Sequence, residues 1–188
     1  MIYFWSDPHF NHRKILDFCP ARREWADSAE GMNEVLIANW NAAVRPQDTV
    51  WLLGDFGFTY QEVQESEYSL PKIFARLQGH KMLVAGNHDE KNPKVMKLPW
   101  ERVEKLWTLR DGPGRRAELC HYPLETWKGA HHGALMLHGH SHGSLRRKLP
   151  HRYDVGVDVE PFPISLDALF LRAQAEKFEI TDHHKEDL

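Results

Sequence analysis

The chain has 188 residues, with 24 Lys and Arg against 27 Asp and Glu, and a formal net charge of −3. Its 41% hydrophobic and 27% charged residues are ordinary for a soluble globular domain, and no apolar stretch is long enough for a membrane span. No global positive field draws it to nucleic acid, and two cysteines are too few for a disulfide framework or a zinc ribbon. Cys19 and Cys120 read as free, buried thiols of a reducing compartment, so a cytoplasmic protein is expected. The expectation is one domain over residues 1–188, ending in a polar tail at 181–188.

Residues 2–5 form an apolar run that stops at Ser6-Asp7-Pro8, the pattern of a buried strand entering a loop. Met32, Val35, Leu36, Trp40 and Ala43 then share one helix face, with Asn33, Glu34, Asn39 and Asn41 off it. A strand at 50–53 stops at Gly54-Asp55. A helix starts near Pro71 and ends at Gly79. A strand at 82–85 stops at Gly86-Asn87. Strands at 103–110 and 117–120 flank a turn at Asp111-Gly112-Pro113-Gly114. A strand at 135–137 precedes His138-Gly139-His140, and another covers 153–159. Ser165 caps a last helix over 166–175, with Leu166, Leu169, Phe170 and Ala173 facing inward. Four times an apolar strand runs straight into small and polar residues. In α/β folds, chemistry collects beyond the carboxyl ends of strands, so four loops are expected to converge on one site.

Those loops carry the chemistry. In Asp7-Pro8-His9 a carboxylate and an imidazole can reach one cation, although a plain polar loop reads the same way. Gly54-Asp55 is weaker alone. Gly86-Asn87-His88-Asp89 is rarer: the Asn87 amide can ligate a metal without adding charge, leaving His88 free to handle protons. His121 alone reads as a core histidine, and His140 and His142 as a solvated pair or a metal clip. Together Asp7, His9, Asp55, Asn87, His121, His140 and His142 offer two carboxylates, one amide and four imidazoles. That is too many ligands for one tetrahedral zinc and too nitrogen-rich for calcium or magnesium. It suits two divalent transition-metal ions sharing a carboxylate, an arrangement that clamps an in-line displacement at phosphorus. Mixed oxygen and nitrogen ligands favour manganese, with iron, zinc or nickel tolerated.

Elsewhere, Trp5, Trp51 and Trp107 read as core, and Trp127 as a candidate pocket wall. His131-His132 and His183-His184 read as surface. Arg146-Arg147-Lys148 reads as a solvated hairpin tip, with a phosphate contact as the alternative. His138 sits at a strand end and is set apart from His140 and His142.

With D-x-H, G-D, G-N-H-D, a single H and G-H-x-H in order across residues 7–142, the sequence resembles the calcineurin-like metallophosphoesterase superfamily. DPHFNHRKI and NWNAAVRPQDTVWLLGDFGF resemble its small bacterial and phage-type branch. The resemblance implies an α/β fold, an αββα sandwich of two mixed sheets flanked by helices. It implies one metal on Asp7, His9, Asp55 and His142, and a second on Asp55, Asn87, His121 and His140. His88 would face substrate, Asp89 would orient a neighbour, and His12 would touch substrate or support a ligand. The implied activity is hydrolysis of a phosphodiester or nucleotide-type phosphoester by a metal-bridging hydroxide. A phosphomonoesterase and a non-catalytic metal-binding scaffold of the same fold are the alternatives. One departure stands out. Phosphoprotein phosphatases follow G-D with a segment ending Asp-Arg-Gly, where this chain has Phe56-Gly57-Phe58.

Overall fold

The computed structural model describes residues 1–176; the expected tail at 181–188 and the His183-His184 pair lie outside the described residues. In chain order the strands are β1 (Ile2–Trp5), β2 (Thr49–Leu52), β3 (His80–Val84), β4 (Arg102–Glu104), β5 (Leu106–Arg110), β6 (Arg116–Cys120), β7 (Leu135–His138), β8 (Arg152–Asp154) and β9 (Ile164–Ser165). The helices are α1 (Ile15–Phe18), α2 (Ala29–Ala43), α3 (Leu70–Arg76), α4 (Pro93–Met96) and α5 (Leu166–Gln174).

Among the described residues the strands form two sheets, ordered β4-β3-β2-β1-β9 and β5-β6-β7-β8. Both are mixed. β1 to β4 pair in parallel and β9 antiparallel to β1, whereas β5 and β6 form an antiparallel hairpin that continues in parallel through β7 and β8.

Side chains alternate across a strand, which explains the unbroken apolar runs of β1 and β2. Tyr3, Trp5, Val50 and Leu52 face a helical layer carrying Met32, Leu36, Trp40, Ile73 and Phe74. Phe4, Trp51 and the following Leu53 point the other way, onto Leu119, Leu135 and Leu137 of the second sheet and Leu169 of α5. The result is an αββα sandwich of two mixed sheets flanked by helices. Side-chain caps fix three of its helices: Ser28 accepts the Gly31 N–H at the start of α2, Asn92 the Lys94 N–H at the start of α4, and Ser165 the Ala168 N–H at the start of α5. No helix among the described residues is long and apolar enough to cross a membrane.

Several expectations need correction. The strand expected at 103–110 breaks at Lys105, so β4 completes one sheet and β5 opens the other. The strand expected at 153–159 stops at Asp154, whose carboxylate accepts the Gly156 N–H, and Gly156 then bridges to Ser6. Asn33 is buried rather than off the α2 inner face. It forms a reciprocal amide pair with Asn11, and this satisfies its polar atoms in the core. Trp107 is half-buried and stacks on Trp51. Trp127 is no pocket wall. It packs with Cys120, Met136 and Leu149 in a satellite cluster, and its indole N–H donates to the Ala134 carbonyl. Cys120 is buried, but Cys19 is half-buried and lines a cleft.

Candidate metal centre

Parallel pairing brings the carboxyl ends of β1, β2 and β3 to one edge, and those of β6 and β7 to the facing edge. Asp7 and His9 follow β1, Asp55 follows β2, and Asn87, His88 and Asp89 follow β3. His121 follows β6, and His140 and His142 follow β7. Backbone bonds lace these loops together. Asp7 N–H donates to the Gly54 carbonyl (3.0 Å), His9 N–H to that of Asp55 (3.1 Å), and Gly139 N–H to that of His121 (3.0 Å). The His140 N–H donates across the sheets to Asp7 Oδ2 (2.9 Å).

Strain marks the same residues. Asp7, His9, Asp55, His140 and His142 have φ of 56°, 50°, 57°, 66° and 46°. A side-chain-bearing residue there costs about 1–3 kcal/mol and persists only where its surroundings impose it. Two motif glycines are required by close approach. A Cβ at Gly86 would lie 2.3 Å from Asp55 Oδ1, and one at Gly139 would lie 2.2 Å from Asp7 Oδ2 and 1.9 Å from Ser6 Oγ.

The motif residues form two three-ligand clusters, Asp7, His9 and His142, and Asp55, His121 and His140; a third group, Cys19, His142 and Asp158, lies behind His142 and shares it. In the first, His9 Nε2 lies 3.7 Å from Asp7 Oδ1, and His142 Nε2 lies 4.0 Å from that oxygen. In the second, His121 Nε2 lies 3.5 Å from Asp55 Oδ2 and 3.2 Å from His140 Nδ1. Asp55 Oδ2 also lies 3.8 Å from His9 Nε2, so this oxygen stands between the clusters. Metal–ligand bonds of about 2.0–2.2 Å put neighbouring ligand atoms roughly 3–4 Å apart.

The donor set passes a chemical test for a cation. Asp7 Oδ1 and both ring nitrogens of His9 are buried without a hydrogen-bond partner. Such orphans are costly unless an ion or water completes them. His121 Nδ1 lies 2.8 Å from the Leu53 carbonyl, so it carries the proton and leaves Nε2 as a bare lone pair. That lone pair faces Asn87 Oδ1 at 3.1 Å, another acceptor, which a cation reconciles. Burial pushes the Asp7 carboxyl up to about 6 despite the lowering influence of His121 and His142. Burial, reinforced by Arg22 and neighbouring histidines, holds the His9 imidazole well below its ordinary range and so neutral.

The surrounding groups differ in how legible they were. Asp89 accepts from the N–H groups of Asp55 (2.7 Å), Phe56 (2.9 Å) and Gly86 (2.9 Å), which fixes the loop that carries Asp55. Three residues escaped the sequence reading. Asp154 accepts from Ser141 Oγ and the Gly143 N–H, holding the loop of His140 and His142. Asp158 sits 2.6 Å from His142 Nδ1, and the buried Arg22 pairs with Asp158. The only sequence signal for the two carboxylates was their spacing around a glycine, Asp154-Val155-Gly156-Val157-Asp158. His138 is buried, its Nδ1 2.9 Å from the Gly139 carbonyl, and belongs to neither cluster.

No protein-family model matches the chain. It is 29% identical over 175 residues to the uncharacterized protein MJ1445 of Methanocaldococcus jannaschii, covering 89% of this chain and 88% of that one. It is 28% identical over 186 residues to the gene 66 protein of Mycobacterium phage D29, covering 84% and 88%. Among solved structures it is similar to AQ665 of Aquifex aeolicus, a protein of unknown function, with TM-score 0.69 and 26% identity over 91% of this chain and 98% of the other. A weaker likeness, TM-score 0.47 at 16% identity over 82% and 77% of the chains, is to YfcE, a phosphoesterase from E. coli. The likeness to AQ665 extends the sandwich over nearly the whole of both chains.

A cleft of about 630 Å³ opens over the ligands, lined by His9, His12, His88, His140, His142 and Phe18 among others. His88 is 43% exposed at its side chain, and its Nε2 lies 3.9 Å from Asp55 Oδ2. Where Asp-Arg-Gly is missing, Phe58 supports the imidazoles. Its ring lies 5.0 Å from His88, 4.4 Å from His12 and 5.9 Å from His9. Burial lowers the pKa of His12, which stands between Phe58 and Phe18. In the Arg146-Arg147-Lys148 stretch, Arg147 pairs with Glu125, and none of the three lines this cleft.

Proposed function

We propose that the chain is a dinuclear metal-dependent phosphoesterase, favouring phosphodiesters or nucleotide-type phosphoesters over phosphomonoesters. The observation that carries this is the pair of three-ligand clusters on either side of Asp55, with Asp7 Oδ1 and both ring nitrogens of His9 buried and lacking hydrogen-bond partners. Asp7, His9, Asp55 and His142 would hold one ion, and Asp55, Asn87, His121 and His140 the other. Manganese fits this mixture of oxygen and imidazole ligands. When bound, such a pair supplies activated water and neutralises charge on the phosphoryl oxygens.

The remaining chemistry falls to the chain itself. His88, half-exposed beside the ligands and backed by Phe58, is the group to stabilise the transition state or protonate the leaving oxygen. His12 and Phe18 offer a polar and an apolar surface to the organic part of the ester. The cleft lining holds imidazoles, hydroxyls, the Cys19 thiol, the Asp158 carboxylate and apolar groups, with no lysine or arginine among the described residues. A singly charged diester needs less countercharge than a dianionic monoester, which supports the diester preference.

The test is hydrolysis of an aryl phosphodiester and an aryl phosphomonoester by manganese-loaded protein. Faster turnover of the diester is expected, and His88→Ala should lower it by about 10²–10⁴-fold while both ions stay bound. Full turnover by that variant would remove His88 from the mechanism. No turnover of either ester by the loaded wild type would favour the non-catalytic scaffold.

A further inference from the structure

Arg22 is a fully buried guanidinium in a helical turn that precedes α2 and belongs to no motif. Its Nε donates to Asp158 Oδ1 (2.7 Å) and its Nη2 to Asp158 Oδ2 (2.6 Å), a bidentate pair. The same Nη2 donates to the Asp7 carbonyl (2.9 Å), and Nη1 donates to the Pro8 carbonyl (3.1 Å) and meets Met32 Sδ at 3.6 Å. A guanidinium has five N–H donors in a fixed fork, and all five are engaged here. With no donor free and no exposed surface, Arg22 cannot be a phosphate-binding group.

What Arg22 touches assigns it another task. The Asp7 and Pro8 carbonyls belong to the strained segment that sets Asp7 and His9. The Asp158 carboxylate, besides taking Arg22, stands 2.6 Å from His142 Nδ1. A carboxylate on Nδ1 fixes the imidazole tautomer and aims Nε2 at a metal. One arginine–aspartate pair therefore touches Asp7 and His142 directly, and reaches His9 through the Pro8 carbonyl that precedes it. It touches none of Asp55, Asn87, His121 or His140. Asp89 and the His88 N–H hold Asp55, the Leu53 carbonyl orients His121, and His140 is held by its N–H on Asp7 Oδ2 and by Asp154 on the residues that follow it.

We infer that Arg22 and Asp158 are positioning residues for the Asp7/His9/His142 half of the centre alone, setting its metal affinity independently of the Asp55/His121/His140 half. This rests on the dinuclear reading proposed above. It explains why a full positive charge is buried in the core. The charge ties the loop of Asp7 and His9 to Asp158, 136 residues beyond Arg22 in sequence, and through Asp158 to His142.

The test is calorimetric titration of the full-length, metal-free protein with Mn²⁺, resolving two binding steps. The steps are identified by single variants, His9→Ala for the first cluster and His121→Ala for the second. In Asp158→Asn the step lost in His9→Ala should weaken about 10–100-fold, while the step lost in His121→Ala stays within twofold of wild type. Should Asp158→Asn fold poorly, Arg22→Met combined with Asp158→Leu removes both charges together and leaves neither one buried alone. It should show the same selective loss. Unchanged affinity in both steps, or an equal fall in both, would overturn the assignment while leaving the dinuclear reading intact. Wild-type protein that takes up no Mn²⁺ would overturn that reading, and the assignment with it.

Discussion

Around Asp55 and His121 the supporting groups lie in the motif segments or next to them, whereas Asp7, His9 and His142 are braced by two charged side chains from elsewhere in the chain, and Asp154 holds the loop that His140 and His142 share. In the first case Asp89 collects three backbone N–H groups and the Leu53 carbonyl orients His121. In the second, Arg22 and Asp158 do the equivalent work. The imidazoles respond differently. Burial, with His121 next, lowers the pKa of His140. Burial also opposes charge on His142, but its hydrogen bond to Asp158 and the nearby Asp7 outweigh that and raise its pKa. Asp158 is held well below the usual carboxylate range: burial works against its charge, but Arg22 and His142 prevail. A site braced within its own motif loops is fixed once those loops fold. A site braced by side chains can be weakened on its own.

The comparison fails most visibly if its shared element can be removed without loss to both sides. Asp55→Asn keeps a residue tolerant of positive φ but offers no bridging charge. Both ions should be lost, with at least a thousandfold fall in each affinity measured by titration. Retention of either ion at wild-type affinity would break the symmetry on which Asp55 was assigned. Next in size, Gly139→Ala forces a Cβ against Ser6 and Asp7, where the sheets meet. It should destabilise the metal-free protein by about 3 kcal/mol in denaturant unfolding. It should also weaken the first-cluster step more than the second, because Asp7 takes the displacement.

The smallest effect is also the most specific. A carboxyl whose folded pKa is raised penalises the folded state where it is ionised. For Asp7, raised to about 6, the penalty is full above that pH and fades as pH falls toward 4. Metal-free Asp7→Asn, which keeps the oxygen that accepts the His140 N–H, should therefore be more stable than wild type at pH 7, by on the order of 2 kcal/mol. The gap should close by pH 4. With Mn²⁺ present the order should reverse, because the wild type gains the binding energy of the first ion. A pH-independent difference would mean that Asp7 is not the group being neutralised.

Much of this was legible beforehand. Apolar runs stopping just before Asp7, Asp55, Asn87 and the His138-Gly139-His140 segment located four strand ends, since a strand buried on both faces needs an unbroken apolar run. The glycines of the motifs were visible too, although the contacts that require them at 86 and 139 were not. Hidden from the sequence were the residues whose value depends on distant partners. Arg22 sits in an ordinary run, Pro20-Ala21-Arg22-Arg23-Glu24, and nothing distinguishes it from the exposed Arg23 beside it. Asn33 breaks the apolar face of α2 and reads as solvent-facing until Asn11 is seen opposite. The break at Lys105 escaped notice because residues on both sides have the composition of one strand, and only sheet assignment divides them.

The central claim is that two ions share the flank of Asp55. The most direct measurement is the number of Mn²⁺ ions bound per chain, by elemental analysis of reloaded wild-type protein after removal of free metal. The account predicts two per chain in the wild type and fewer than one in Asp55→Asn. One ion or none in the wild type, or two retained in the variant, would contradict it.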